Sequence, residues 1–213
     1  MLPKKSQGLF HPHTILKSDS FKYFLAIYKE TTPIVLVTVF AEMIVGLELI
    51  RVQELFVYLP ALVLILPGLL ENRGNIASNL AQRLGTSVHL GVISWDLGFN
   101  EELKVNFFAT LILSGTLSLT LTTLAYIYVV LANISHISYL GFLFVTMFMS
   151  LGIGTILTII TILVVLLSHR YGLDPDNVTI PIIATVGDIL TVGSLYFVIR
   201  LVLQIDTWLP IFK

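Results

Sequence analysis

The apolar positions of this chain fall into five long stretches, and short polar segments separate them. The stretches cover residues 32–50, about 56–84, 105–131, 140–167 and 178–203. About 20 consecutive apolar residues suffice for a helix that crosses the hydrocarbon core of a bilayer. The pattern therefore predicts an all-α integral membrane protein with five transmembrane helices.

The second stretch differs from the other four because its second half is polar. About 15 apolar residues, fewer than a lipid-facing helix needs, precede a polar cluster at residues 71–83. Two interpretations stay open. Either the span ends in a polar loop at Glu71, or the polar part lies within membrane depth and lines a cavity, where irregular backbone at Gly74 is tolerated.

The remaining boundaries follow from Pro33 and from the polar segments. Pro33 suits the first turn of the first span, and Arg51 to Glu54 reads as a polar turn. Further polar segments are expected at residues 85–104, 132–139 and 169–177.

Composition supports the membrane assignment. The chain is 56% hydrophobic and 12% charged, whereas soluble domains carry about 25% charged residues. Little room is left for a soluble domain, and a multi-pass protein of the cell membrane is expected. The sequence contains no cysteine, which excludes a disulfide framework and a thiolate metal site.

The positive charges predict the orientation. Five crossings put the two termini on opposite sides, and basic residues favour the cytoplasmic side. With the N-terminus inside, the inner segments hold Lys4, Lys5, Lys17, Lys22, Lys29, Arg83, Lys104 and Arg170, and the outer segments and the outer end of the fifth span hold Arg51, Arg200 and Lys213. The prediction is N-in and C-out.

These boundaries divide the chain into three parts. Residues 1–31 form a basic segment with an apolar stripe at Phe21, Phe24, Leu25 and Tyr28, which suits a cytoplasmic lead-in or an interfacial amphipathic helix. Residues 32–203 form the five-helix transport domain. Residues 204–213 form a short extracytoplasmic tail.

Two carboxylates fall within predicted spans. Asp188 lies near the middle of the fifth span, beside Thr185, Thr191 and Ser194, and Glu42 lies within the first. An aspartate at the centre of such a helix costs roughly 2.5–3.5 kcal/mol on insertion scales, and such residues mark ion paths or pair with neighbours. Asp188 is therefore assigned to an ion pathway. Glu42 is a second candidate, with a hydrogen bond to a neighbouring helix as the alternative.

Enzymatic functions find no support. The sequence has no glycine-rich phosphate loop, which nucleotide binding would need, and no His-Glu-x-x-His motif, which a zinc protease would need. An aspartyl protease needs two carboxylates that share a proton, and no second mid-membrane aspartate occurs. The chain is expected to be no enzyme, to use no organic cofactor and to bind no nucleic acid.

Two motifs resemble the MgtE magnesium transporters, most closely their eukaryotic solute-carrier relatives, and the similarity covers about residues 30–203. The first joins the turn at residues 174–177 to Pro181, Thr185 and Asp188, and matches the fifth span of that family. The second matches its second span, with Pro67, Gly74, Asn75, Arg83, Leu84 and Thr86. Bacterial members carry large sensor domains before the first span and eukaryotic relatives carry two five-span units, so this chain resembles a half-size relative.

The resemblance implies an MgtE-like membrane domain that forms a dimer around a central path for Mg²⁺, the transported ion. The partner would be a second copy or a similar half-size chain, and Asp188 matches the aspartate on the path. Asp188, Asn75, Thr185 and the backbone at Gly74 supply the oxygens expected around a hydrated magnesium ion, with Glu42 as a further carboxylate. The chain departs from the family's glycine-rich run, which here reads Leu-Leu-Glu-Asn-Arg at residues 69–73, and Arg73 adds a charge that repels cations.

Two other functions stay open. One is a secondary transporter of another cation or a small solute, in which Asp188 carries a proton or sodium. The other is a non-transporting membrane subunit, in which Asp188 pairs with a partner helix.

Overall fold

A computed structural model describes residues 17–58, 60–93, 100–134 and 138–208. These residues form six α-helices and one π-helical segment, with no strand among them. The elements are α1 (Lys17–Tyr58), α2 (Ala61–His89), α3 (Glu101–Leu131), α4 (Tyr139–Met147), the π-helical segment (Phe148–Ile153), α5 (Gly154–Arg170) and α6 (Pro175–Trp208).

Helix α1 is longer than the sequence pattern indicated. It runs without interruption from Lys17 to Tyr58, with Pro33 in its interior. The expected helix start near Pro33 and the expected polar turn at residues 51–54 are therefore wrong. Arg51 instead donates to Glu48 one turn earlier, at 2.6 Å, so these charges are accommodated on the helix surface. At about 1.5 Å per residue, 42 residues make a helix about twice as long as the ~30 Å hydrocarbon core.

Helix α2 is also unbroken, from Ala61 to His89. The polar cluster at residues 71–83 is wholly helical, so the loop at Glu71 is wrong and the backbone at Gly74 is regular. The expected polar segment at residues 85–104 is shorter than predicted, because α2 continues to His89 and α3 begins at Glu101 with Asn100 as its N-cap.

The described part of the bundle has five long helical segments, because α4 and α5 continue each other through the π-helical segment. Consecutive segments alternate in direction. At one end, the Glu30 carboxylate of α1 accepts from the Asp174 backbone N–H at 2.6 Å, and the His89 ring at the end of α2 lies against the His169 ring at the end of α5. At the other end, a single apolar cluster joins the opposite termini, including Val52, Leu62, Val129, Phe142 and Ile199. Because α2 contributes to both ends, it passes the full length of the bundle.

The core lies around α2 and α6. Buried residues occur along all of α2, from Ala61 to Val88. Three clusters divide the interior: one at the α1 carboxyl end, one around Ala77, Leu157 and Ile183, and one around Leu80 and Leu84. The middle of α6 is therefore enclosed by α1, α2 and α5, which positions its polar residues between helices.

Four helical segments in the described residues are long and apolar enough to cross a membrane: Ser20–Gln53, Glu101–Leu131, Tyr139–Arg170 and Pro175–Leu201. The third of them is α4 and α5 joined through the π-helical segment. Helix α2, the remaining predicted span, is not among them, because its polar residues lower its apolar character. The fifth helix ends later than predicted, at Trp208, and residues 209–213 of the predicted tail lie outside the described residues.

Candidate functional site

Asp188 lies half-buried in the middle of α6. It interacts electrostatically with Glu42 of α1 and Arg73 of α2. Its carboxylate makes no hydrogen bond and no ion pair with any described residue. Three helices therefore bring three charged groups together near the centre of the bundle, and the aspartate oxygens are free to take a ligand.

Arg73 is buried at the contact between α2 and α6, with 5% of its surface exposed. Its Nη1 donates to the Thr191 hydroxyl, which in turn donates to the Gly187 carbonyl at 2.6 Å. The Nε and Nη2 atoms of Arg73 are buried and have no hydrogen-bond partner in the described part of the chain. A guanidinium with unpaired buried donors is costly, so this side chain is not optimised for stability alone.

From the sequence, Arg73 was assigned no role in the site beyond the repulsion of cations by its charge. A signal for its burial was nevertheless present, because Leu69, Ile76 and Leu80 lie at the i−4, i+3 and i+7 positions, which share one helical face. All three are buried with it. The apolar period therefore places Arg73 in the middle of the inward face.

Glu42 is half-buried on the face of α1 that packs against α6, beside buried Val45. Beyond it, an open groove of about 470 Å³ lies between α1 and α6. The groove is lined by Glu48, Arg51, Val52, Val192, Gly193 and Tyr196. Val192 lies one helical turn after Asp188, so the groove leads from one end of the bundle towards the carboxylate.

Thr185 is buried on α6, three residues before Asp188. Asp188 lies between Thr185 and Thr191 on α6, about 60° around the helix axis from each. Of the predicted site residues, Asp188, Glu42 and Thr185 are brought together around the middle of α6.

Gly74 and Asn75 do not join that cluster within one chain. Asn75 is exposed. Its side-chain amide nitrogen donates to the Glu71 carboxylate on the same helix at 2.9 Å, and its backbone carbonyl accepts from the Asn79 side chain at 2.9 Å. Residues 73 and 75 point about 200° apart on a helix, so Asn75 faces away from Arg73. A methyl group added at Gly74 would meet no atom within 4 Å.

A second polar surface therefore runs along the outside of α2. We call it the outer polar face, and its exposed members are Glu71, Asn75, Asn79, Gln82 and Thr86. Side chains of this kind are not stable against lipid tails. The outer polar face must therefore meet water or another protein.

No group of three or more His, Asp or Glu side chains is arranged to hold a metal ion within the described ranges. Asp188 and Glu42 are thus a pair of carboxylates rather than a closed metal cage. That arrangement suits a cation that keeps part of its water shell, because such an ion needs few protein ligands.

Comparison of the sequence with known protein families identifies a family that matches. The profile of the MgtE family, described as divalent cation transporters, matches residues 66–199. The match covers more than half of the chain and contains Arg73, Asn75, Thr185 and Asp188, whereas Glu42 lies before it. Searches of curated proteins and of solved structures found no match. The similarity expected from the two motifs is thereby confirmed, and the chain is a multi-pass membrane protein that belongs to the MgtE family of divalent cation transporters.

Proposed function

We propose that this protein moves hydrated Mg²⁺ across the membrane through a dimeric path that passes Asp188. The observation that carries the proposal is the Asp188 carboxylate itself, half-buried at mid-helix, without a hydrogen bond in the described structure, and next to Glu42. Asp188 attracts the cation, and Glu42 adds a second negative charge from α1.

The chemistry of magnesium supports this arrangement. Mg²⁺ dehydrates reluctantly, keeps several waters and takes one or two carboxylates from proteins. Asp188 and Glu42 supply the carboxylates, and the groove between α1 and α6, whose lining starts at Val192 one helical turn from Asp188, is the route by which we propose that a hydrated ion approaches them. We assign Thr185 to the same stretch of the path.

We further propose that two copies, or one copy and a similar half-size chain, face each other across the outer polar face of α2. Dimerisation would cover polar groups that lipid cannot solvate. It would also place Asn75 and the backbone at Gly74 of both copies at the subunit seam, on the side of α2 away from Asp188, where their oxygens would form a second ion site that one chain alone does not provide.

The membrane orientation in this proposal is N-in and C-out, with α2 as a fifth crossing. Its 29 residues span about 43 Å at 1.5 Å per residue, enough for the ~30 Å core. Neighbouring helices cover its buried face along the whole length, and the partner subunit would cover its outer polar face. Residues 17–31 then extend beyond the core as the predicted cytoplasmic or interfacial segment.

Crosslinking tests the dimer, since the chain has no cysteine of its own. Asn79→Cys, on the outer polar face, should form a disulfide-linked dimer in membranes under mild oxidation. Ile112→Cys is the matched control, because Ile112 is 71% exposed on the apolar surface of α3 and should stay monomeric. Equal crosslinking at both positions would reflect random collision and would contradict the proposed interface.

Ion flux into liposomes that contain the purified protein tests the function. Uptake of Mg²⁺ above that of protein-free liposomes, compared with other divalent cations, is the expected result. Flux that requires a proton or sodium gradient and ignores divalent cations would indicate a secondary transporter of another solute. No flux from folded protein would indicate a non-transporting subunit.

A further inference from the structure

Arg73 is a fixed positive charge on the very stretch where a cation transporter attracts positive ions. It occupies the centre of the inward face of α2 and interacts electrostatically with Asp188. Burying a guanidinium costs several kcal/mol unless excellent geometry compensates for it. The position of Arg73 therefore calls for an explanation beyond packing.

A structural ion pair does not explain the geometry. Arginine stabilises buried carboxylates by paired, parallel hydrogen bonds, but Arg73 donates to the neutral Thr191 hydroxyl instead. Among the residues that the structure describes, its Nε and Nη2 have no hydrogen-bond partner and Asp188 has no ion-pair contact. The guanidinium thus lies close enough to act on the Asp188 carboxylate without neutralising it by contact.

A small, mostly apolar pocket also borders Arg73, and Thr110, Ser114 and Thr158 are among the residues that line it. Each of these hydroxyls donates its proton to a carbonyl of its own helix, at 2.7 Å, 2.8 Å and 2.7 Å respectively. The described residues that line the pocket include no carboxylate, so nothing on this side of Arg73 neutralises its charge.

We propose that Arg73 is a tethered cation that competes with the transported ion for Asp188, and so sets the concentration at which the path fills. This inference rests on the proposed function. Repulsion between Arg73 and an ion at Asp188 weakens ion binding and speeds release. Arg73 thus sets the affinity of the path for the ion and is not itself a ligand. Thr191 positions it by accepting from Nη1.

The test replaces the charge and keeps the size. Arg73→Gln should lower the Mg²⁺ concentration for half-maximal flux at least about tenfold, because a unit charge roughly 6 Å from a divalent ion opposes its binding by about that factor even at the dielectric constant of water. Arg73→Lys keeps the charge and should behave as wild type. Lys104→Gln is the matched control: it removes an exposed positive charge at the start of α3, where it pairs with Glu101, and should leave half-saturation unchanged.

Stability measurements separate this role from a structural one. Because Arg73 has unpaired buried donors and an unpaired buried charge is costly, its loss should leave the melting temperature unchanged or raise it, and added Mg²⁺ should stabilise Arg73→Gln at lower concentration than wild type. Arg73→Met provides a second neutral variant if glutamine is poorly accommodated. Failure of both neutral variants to fold would overturn the inference, because the charge would then be structural.

The outcomes also separate the inference from the function on which it rests. If the wild-type protein transports Mg²⁺ and Arg73→Gln needs the same Mg²⁺ concentration for half-maximal flux, the inference alone would be overturned. Equal changes in Arg73→Gln and Arg73→Lys would do the same, because the guanidinium shape and not its charge would be responsible. Absence of Mg²⁺ flux and of Mg²⁺-dependent stabilisation in every variant would overturn the proposed function as well.

Discussion

The two faces of α2 carry polar residues for different purposes. On the inward face, Arg73 is surrounded by buried apolar side chains and bonded to Thr191 of α6. On the outer polar face, Asn75 is exposed and makes its hydrogen bonds within α2. Two residues along the chain thus separate a charge in the core of the bundle from an amide on its surface.

This difference shows how one polar cluster serves two environments. Because a helix turns about 100° per residue, the cluster at residues 71–83 does not enter or leave the bundle as a block. Its inward member Arg73 interacts electrostatically with Asp188, and its outer members need a partner or water. The polar half of α2 is therefore part of the bundle, not a loop between two spans.

The largest expected effect is on membrane topology, because the side on which the C-terminus lies depends on whether α2 crosses the membrane. Five crossings place the termini on opposite sides, whereas four crossings place them on one side. Single cysteines at Ser18 and Phe212, introduced into the cysteine-free chain, should react with a membrane-impermeant reagent from opposite sides of intact cells. Labelling of both from the same side would remove α2 from the count of spans.

The next effect is on stability and follows from the inward face. Leu80→Ala should cost about 2–5 kcal/mol of unfolding free energy, as for other buried leucines, because Leu80 is fully buried. Leu64→Ala is the matched control, since Leu64 lies on the opposite side of α2 and is 39% exposed. Unfolding in detergent should give a far smaller loss for Leu64→Ala, and equal losses would contradict the assignment of faces.

The smallest effect on stability is expected at Asn75. Asn75→Ala removes hydrogen bonds that lie on an exposed helix surface, which contribute roughly 1 kcal/mol or less. As a ligand on the dimeric path, Asn75 should nevertheless change Mg²⁺ affinity or selectivity severalfold in folded protein. A lowered melting temperature with unchanged affinity and selectivity would make the outer polar face purely structural.

The helical fold could be predicted from the apolar pattern, because stretches of membrane length leave few alternatives. The ends of α1 could not. Its charges at Arg51 and Glu48 resemble a turn in the sequence, but they pair with each other one turn apart and the helix continues. Local polarity marks a helix end poorly when the polar side chains satisfy each other on the helix surface.

The site was predictable in part for a similar reason. Asp188 stood out because a carboxylate in an apolar stretch is costly, and the structure brings Glu42 and Thr185 to the same region. Arg73 was harder to assign, since its inward direction depends on the unbroken helix through Gly74, which the sequence left open. Whether Asn75 and Gly74 are ligands depends on a partner subunit, and the fold of one chain does not decide it.

Replacing one charge tests the central claim, that the Asp188 carboxylate lies on the cation path. Asp188→Asn is nearly isosteric and should keep the melting temperature while Mg²⁺ flux in liposomes falls to that of protein-free vesicles. Glu101→Gln is the control, because it neutralises an exposed carboxylate that is paired with Lys104 at the start of α3, and it should keep wild-type flux. Wild-type flux from folded Asp188→Asn protein would contradict the account.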